Sequence, residues 1–186
     1  LAAVVSGAGD DKQWMTCDDR SESPFIGNLY AVFGVGDMGF SHSIDGGSTW
    51  QGLGNTPTPT YIEPEVFAPA ITTDSKGWVH IFNIPQHGYG KGGLIYQRSK
   101  DGGNTLEQPR DIAPNIVSLD SFVNGTGWAQ FSGSLFRNST MVMACTGKDQ
   151  TLMVAWPDMR QGYSRIYYMV SLDGGDTWSG SNNSKF

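Results

Sequence analysis

The groups in this chain that could ligate a metal, activate a nucleophile or move a proton are few. They are three histidines (His42, His80 and His87), two cysteines (Cys17 and Cys145) and some short acidic runs. Tetrahedral metal sites draw on His and Cys at close, regular spacings, and no such spacing occurs here. His80 alternates with core positions and reads as a satisfied strand residue. Asp10, Asp11, Asp18, Asp19 and Glu22 offer the hard oxygen ligands that Ca²⁺ takes, without the alternating pattern of a calcium loop. No cofactor is therefore expected, and Ca²⁺ is the one cation worth testing. Each cysteine lies in an apolar, strand-like run, and the expectation is two buried thiols serving as small hydrophobes rather than a disulfide. Gly34-Val35-Gly36-Asp37-Met38-Gly39 has the glycine spacing of a dinucleotide loop, but that chemistry needs a following helix to face the pyrophosphate. A short strand and a glycine turn follow instead, so the motif is rejected. The loop from His87 to Gly93 lacks phosphate-loop spacing and reads as a long connection at a rim, where Tyr89 could stack on a sugar. Glu63 and Glu65, flanking Pro64, are the candidate carboxylates of that same end of the molecule.

A repeat organises the rest. Ser43-Ile44-Asp45-Gly46-Gly47-Ser48-Thr49-Trp50 recurs as Ser171-Leu172-Asp173-Gly174-Gly175-Asp176-Thr177-Trp178. A third copy, from Ser99 through Asp101, Gly103 and Thr105, ends in Leu106 where the others have Trp. Gly-Gly supplies positive φ in a tight hairpin. The Asp carboxylate can accept from turn N–H groups, the Ser and Thr hydroxyls can close the remaining polar groups, and the Trp can pack on the sheet. Every one of these roles is structural.

The surroundings of the turns repeat as well. Three short apolar strands precede each copy: Trp14–Cys17, 28–33 and 39–42; then 69–72, 78–82 and 94–97; then 141–144, 152–156 and 166–170. With a fourth strand after the turn, each unit is a four-stranded antiparallel blade, and the chain is an all-β propeller segment of about three blades. The blades are placed at about 11–54, 65–110 and 130–186. The Pro- and Thr-rich stretch from Asn55 to Glu65 reads as an extended linker between them.

Composition agrees. There are 25 glycines, 12% aromatic residues and only 16% charged residues, which suits short strands and tight turns. A net charge of −6 disfavours nucleic-acid backbones as partners. No apolar run is long enough to span a membrane. The chain opens at Leu1 without a signal-like segment and is read as processed or excised. Asn-x-Ser/Thr sequons start at Asn124, Asn138 and Asn182.

These turns resemble the Asp-boxes, or BNR repeats, of the sialidase superfamily, and the likeness runs from about Asp11 to Trp178. The resemblance implies a six-bladed propeller with the boxes between third and fourth strands. Three blades are half of such a ring, so missing sequence or a second copy of the chain would complete it. The resemblance also implies an arginine cluster gripping a substrate carboxylate, a Tyr–Glu nucleophile and an Asp acid/base. On that pattern Ala155-Trp156-Pro157-Asp158-Met159-Arg160 makes Arg160, with Asp158, the first site candidate. Arg137 in Phe136-Arg137-Asn138-Ser139 and the Asp19-Arg20 pair follow. Read as residues alone, Arg160 with Asp158 is an ordinary ion pair before it is a ligand site, and the acidic pair beside Arg20 a solvated surface. The stretch Gln161–Ile166, where the acid/base would fall, contains no acid, and the Tyr–Glu pair would come from later blades. The expected function is therefore an extracellular platform that binds glycan or protein partners without catalysis. A segment of an exo-sialidase or related glycoside hydrolase is the second reading, and a structural assembly module the third.

Overall fold

The computed structural model describes residues 12–85, 91–119 and 139–180. Three four-stranded antiparallel sheets follow one another along the chain, each a simple meander. The first holds β1 (Trp14–Cys17), β2 (Leu29–Phe33), β3 (Val35–Ser43) and β4 (Thr60–Phe67). The second holds β5 (Ala70–Thr73), β6 (Val79–Asn83), β7 (Lys91–Ser99) and β8 (Arg110–Val117). The third holds β9 (Met143–Thr146), β10 (Leu152–Asp158), β11 (Arg165–Ser171) and β12 (Ser179–Gly180). The first strands of the sheets lie side by side, with β5 between β1 and β9. The sheets are consecutive blades of a partial propeller, and a 3-10 turn at Leu53–Asn55 lies between β3 and β4.

Burial explains the strand sequences. β6, Val-His-Ile-Phe-Asn, is buried at every position because its sheet is covered on both faces. β10 alternates instead, with Leu152, Val154 and Trp156 buried and Met153 open. Two apolar cores result, one at each joint between sheets. Tyr30, Val32, Met38 and Phe40 of the first sheet meet Ile71, Val79 and Ile81 of the second. Phe82, Leu94 and Tyr96 on the far side of the second meet Val154, Trp156, Tyr167 and Met169 of the third.

Two sequence expectations are corrected. The stretch read as a linker contains most of β4, the fourth strand of the first sheet. Thr60, Tyr61 and Ile62 are good strand formers, and Pro64 is tolerated because β4 is an edge strand whose register with β3 shifts on both sides of Met38. The cysteines are exposed and unpaired, not buried. Cys17 stands opposite Leu29, and Cys145 opposite Met153, on first strands whose outward sides carry no covering sheet. An apolar neighbourhood in sequence says nothing about which side of a strand is covered. The Gly34–Gly39 segment runs into β3 with no helix after it, as expected.

Candidate ligand-binding site and the repeated turns

The three Asp-Gly-Gly turns have the same set of bonds. The Ser hydroxyl donates to the Asp carboxylate at 2.8 Å in Ser43–Asp45, 2.8 Å in Ser99–Asp101 and 2.7 Å in Ser171–Asp173. The same oxygen accepts the N–H of the second glycine, from Gly47, Gly103 and Gly175. The carboxylate accepts the Thr N–H and Thr hydroxyl together, from Thr49, Thr105 and Thr177. Hydrogen bonds to the charged form hold it charged. The backbone and hydroxyl of Thr49, then Ser43, pull Asp45 down to about 2, and the hydroxyl and backbone of Thr177, then Ser171, do the same for Asp173. The indole N–H of Trp50 donates to the Gly47 carbonyl and that of Trp178 to the Gly175 carbonyl, a bond that Leu106 cannot make. Both oxygens of each carboxylate thus accept bonds inside the turn, which gives these Asp residues a structural role.

The turns also grip the preceding sheet. Arg98 donates from Nη1 to the Gly174 carbonyl at 2.7 Å and from Nη2 to Asp176 at 2.6 Å, while its Nε holds Glu107 at 2.8 Å. Arg110 donates to the Gly175 and Asp176 carbonyls. The Tyr96 hydroxyl reaches Gly174 at 3.3 Å and His80 Nδ1 at 2.8 Å. Trp178 meets Phe82 and Tyr96 edge-on. His80 is fully buried, as expected of a satisfied strand residue, and its Nε2 faces Asp74 at 3.2 Å. Burial pushes its pKa down, helped by the Arg98 charge and opposed by Asp74.

The β10–β11 loop carries the first site candidate. Asp158 is wholly buried. Its carboxylate accepts from Val117 N–H at 3.2 Å, Arg160 N–H at 2.8 Å, Arg160 Nε at 2.7 Å and Trp156 Nε1 at 3.3 Å. Arg160 Nη2 stands 2.5 Å from the same carboxylate, an ion-pair contact without the angle of a hydrogen bond. The guanidinium lies over the Tyr167 ring at 4.7 Å. Asp158 therefore has no free lone pair for proton transfer; it fixes Arg160 and, through Val117, ties the loop to the end of β8. Met159 N–H completes that seam with a bond to the Val117 carbonyl.

Beyond Arg160 the loop turns at Gly162, with φ +84°, and presents Tyr163, which is 52% exposed. Arg165 stacks over the Tyr163 ring at 4.7 Å and donates to its hydroxyl. Sequence reasoning passed over Tyr163 and Arg165 because it searched this stretch for an acid. The aromatic–guanidinium pair two positions apart was the available signal.

The other candidates separate. Asp19 and Arg20 form an exposed pair at 3.4 Å in the β1–β2 loop, on a different sheet from Arg160. Neighbouring Asp18 is buried, and its carboxylate accepts from the Ser23 hydroxyl and the Arg20 N–H. Among the described residues, no group of three or more His, Cys, Asp or Glu side chains is arranged to hold a metal. Glu63 lies on β4, with burial raising its pKa. Burial also raises Asp111 on β8, opposed by the Ala113 N–H. Arg137, His87, Tyr89, Asp10, Asp11, the Glu65 side chain and the asparagines of all three sequons lie outside the described residues.

No family model matches the sequence, and no curated protein matches it. Solved structures do. An α-L-arabinofuranosidase of Fusarium graminearum, solved with an iminosugar inhibitor, superposes with a TM-score of 0.55 at 15% identity, over 90% of this chain and 46% of that one. A protein of unknown function from Dyadobacter fermentans gives 0.54 at 14%, over 92% and 54%. An ulvan lyase of polysaccharide lyase family PL25 gives 0.50 at 16%, over 89% and 39%. The chain thus spans about half the length of the structures it resembles. At these identities the likeness establishes the fold, that of a partial β-propeller, and the fold alone.

Proposed function

We propose that this chain is an extracellular, sialidase-like Asp-box propeller segment that binds anionic glycans through the β10–β11 loop without cleaving them. The observation that carries the reading is the exposed Tyr163 ring held by Arg165, beside Arg160 fixed on Asp158. An exposed aromatic face can stack on a sugar ring, and planar guanidinium groups suit a sugar carboxylate or sulfate. The carbohydrate-active enzymes among the fold's relatives support a glycan ligand. That the Asp158 carboxylate is bound on all sides, and that Gln161–Ile166 carries no acid, supports binding without hydrolysis. Calorimetric titration with sialyllactose tests this. Tyr163→Ala and Arg165→Ala should each weaken binding about tenfold or more, the scale of a lost interfacial anchor. Equal affinity in both variants would sink the reading.

A further inference from the structure

The second sheet departs from its neighbours at four positions of the repeated frame, all at the end of the strands that carries the Asp-Gly-Gly turns. Counting from the Ser of each turn, Arg98 stands where the other sheets have His42 and Val170, and Lys100 where they have Ile44 and Leu172. Leu29, Val79 and Leu152 all stand opposite that Ser, so Trp78 takes the place of Asn28 and Thr151. Lys76 matches Asp149 of the third sheet, because the turns that carry them close with the same bond. Asp74 N–H donates to the Trp78 carbonyl at 3.1 Å, and Gly147 N–H to the Thr151 carbonyl at 2.8 Å. The frame folds without lysine or tryptophan at these places in the other sheets, so the blade itself does not require them.

In the second sheet the four side chains converge. Lys100 Nζ lies 4.5 Å from the centre of the Trp78 ring, Lys76 Nζ 4.8 Å and Arg98 Cζ 5.2 Å. An indole face attracts a cation, but three cations gathered on one indole also repel one another. Bonds from below hold them there. The Asp74 carboxylate accepts the Lys76 N–H at 2.9 Å and the Trp78 N–H at 3.0 Å. The indole packs on the third turn, where a Cβ at Gly174 would stand 3.2 Å from the ring. Lys100 is fixed on the second turn between Ser99 and Asp101. The charges are answered unequally. Arg98 is spent on Glu107, the Gly174 carbonyl and Asp176. Lys100 shares Glu107 at 3.1 Å and keeps 41% of its side chain exposed. Lys76 is exposed, and no ion pair among the described residues joins it to an acid.

We propose that Lys76 and Lys100, held beside Trp78, form a binding site for a tetrahedral oxyanion, the sulfate or phosphate group of a ligand. Ammonium ions are compact point charges on flexible stems, and two of them can close on an anion of any orientation. The planar fork that suits a carboxylate is Arg98, and it is fully bonded here. A bound dianion relieves the repulsion among the three cations, and Lys100 gives up part of its pairing with Glu107 to reach it. The site lies on the seam of the second and third sheets, at the opposite end of the strands from the β10–β11 loop, and does not depend on what that loop binds.

NMR titration of the isotope-labelled chain with sodium sulfate, and separately with sodium phosphate, tests the proposal. Ionic strength is held constant with sodium chloride, and the readout is the Trp78 indole N–H, assigned by its loss in Trp78→Phe. The expected result is a shift that saturates with one or both anions, and a weaker response to sodium acetate. Lys76→Met and Lys100→Met keep the aliphatic stem on the indole and remove the charge. Both side chains are exposed, so the rest of the spectrum should be retained, while each change should weaken binding about fivefold or more. A shift that saturates with neither anion overturns the proposal. Acetate binding as tightly as sulfate and phosphate overturns it too, as does a saturating shift that both lysine variants leave unchanged.

Discussion

At the residue scale the repeated turn is a closed set of local bonds, and its side chains differ in what they can lose. Ser99 is fully buried, donating to Asp101 and accepting from Gly103. Ser99→Ala should cost about 1–2 kcal/mol in urea unfolding, since it leaves a buried N–H unpaired. The glycines divide by environment. Gly175 has φ +90° and a Cβ there would collide with Tyr96, so Gly175→Ala should cost about 3 kcal/mol, strain and overpacking together. Gly46 has φ +69° and open space, so Gly46→Ala should cost only the left-handed penalty, about 1 kcal/mol. Equal costs at the two positions would contradict the close fit of the third turn against Tyr96. The bonds inside each turn were legible in the sequence because their partners lie two to four residues apart. The commitment of Asp158 was less so: two of its donors belong to Arg160, but a third is the backbone of Val117, on another sheet.

At the element scale the sheets are joined by long-range contacts that no local pattern announces. Strand positions followed from alternation and from the turns, whereas β4 was hidden by the Pro and Thr content of an edge strand. Two contacts at the second joint give predictions. Trp178→Leu imitates the middle turn; it should lower stability by about 1–3 kcal/mol through lost ring area against Phe82 and Tyr96. Thermal unfolding checks it, and no change would mean that the ring is not part of the joint. His80 gives a pH signature. Its folded pKa is lowered by burial and the Arg98 charge, against the pull of Asp74, with Glu107 also nearby. Below the ordinary imidazole range, about 6.5, the unfolded chain takes a proton that the folded chain refuses, so stability is complete above that pH and falls as pH drops below it. His42, also lowered by burial, acts in the same window. The turn carboxylates act lower: Asp45 and Asp173, held near 2, stabilise the fold above the ordinary carboxylate range and lose this as pH falls toward 2. Urea midpoints should therefore decline already between neutral pH and about 5.5, and His80→Gln should flatten that decline. A flat wild-type profile across that range would contradict the buried neutral imidazole.

At the scale of the whole molecule, the chain is part of a propeller in which the seam between second and third sheets carries the Arg160–Arg165 loop. The repeat made the architecture legible from sequence, because each unit is one blade with its own turn. The candidate site was only partly legible: Arg160 and Asp158 were found, while Tyr163 and Arg165 gain meaning only from the stacking that folding creates. The most direct test of the proposed role is saturation-transfer NMR of the intact chain with sialyllactose, followed over a day in the same tube. The expected result is transfer to the sugar ring protons, lost in Tyr163→Ala, with no new free-sugar signals. Absence of transfer, or the growth of free sialic acid signals that Tyr163→Ala or Arg165→Ala abolishes, would contradict a glycan-binding platform without catalysis.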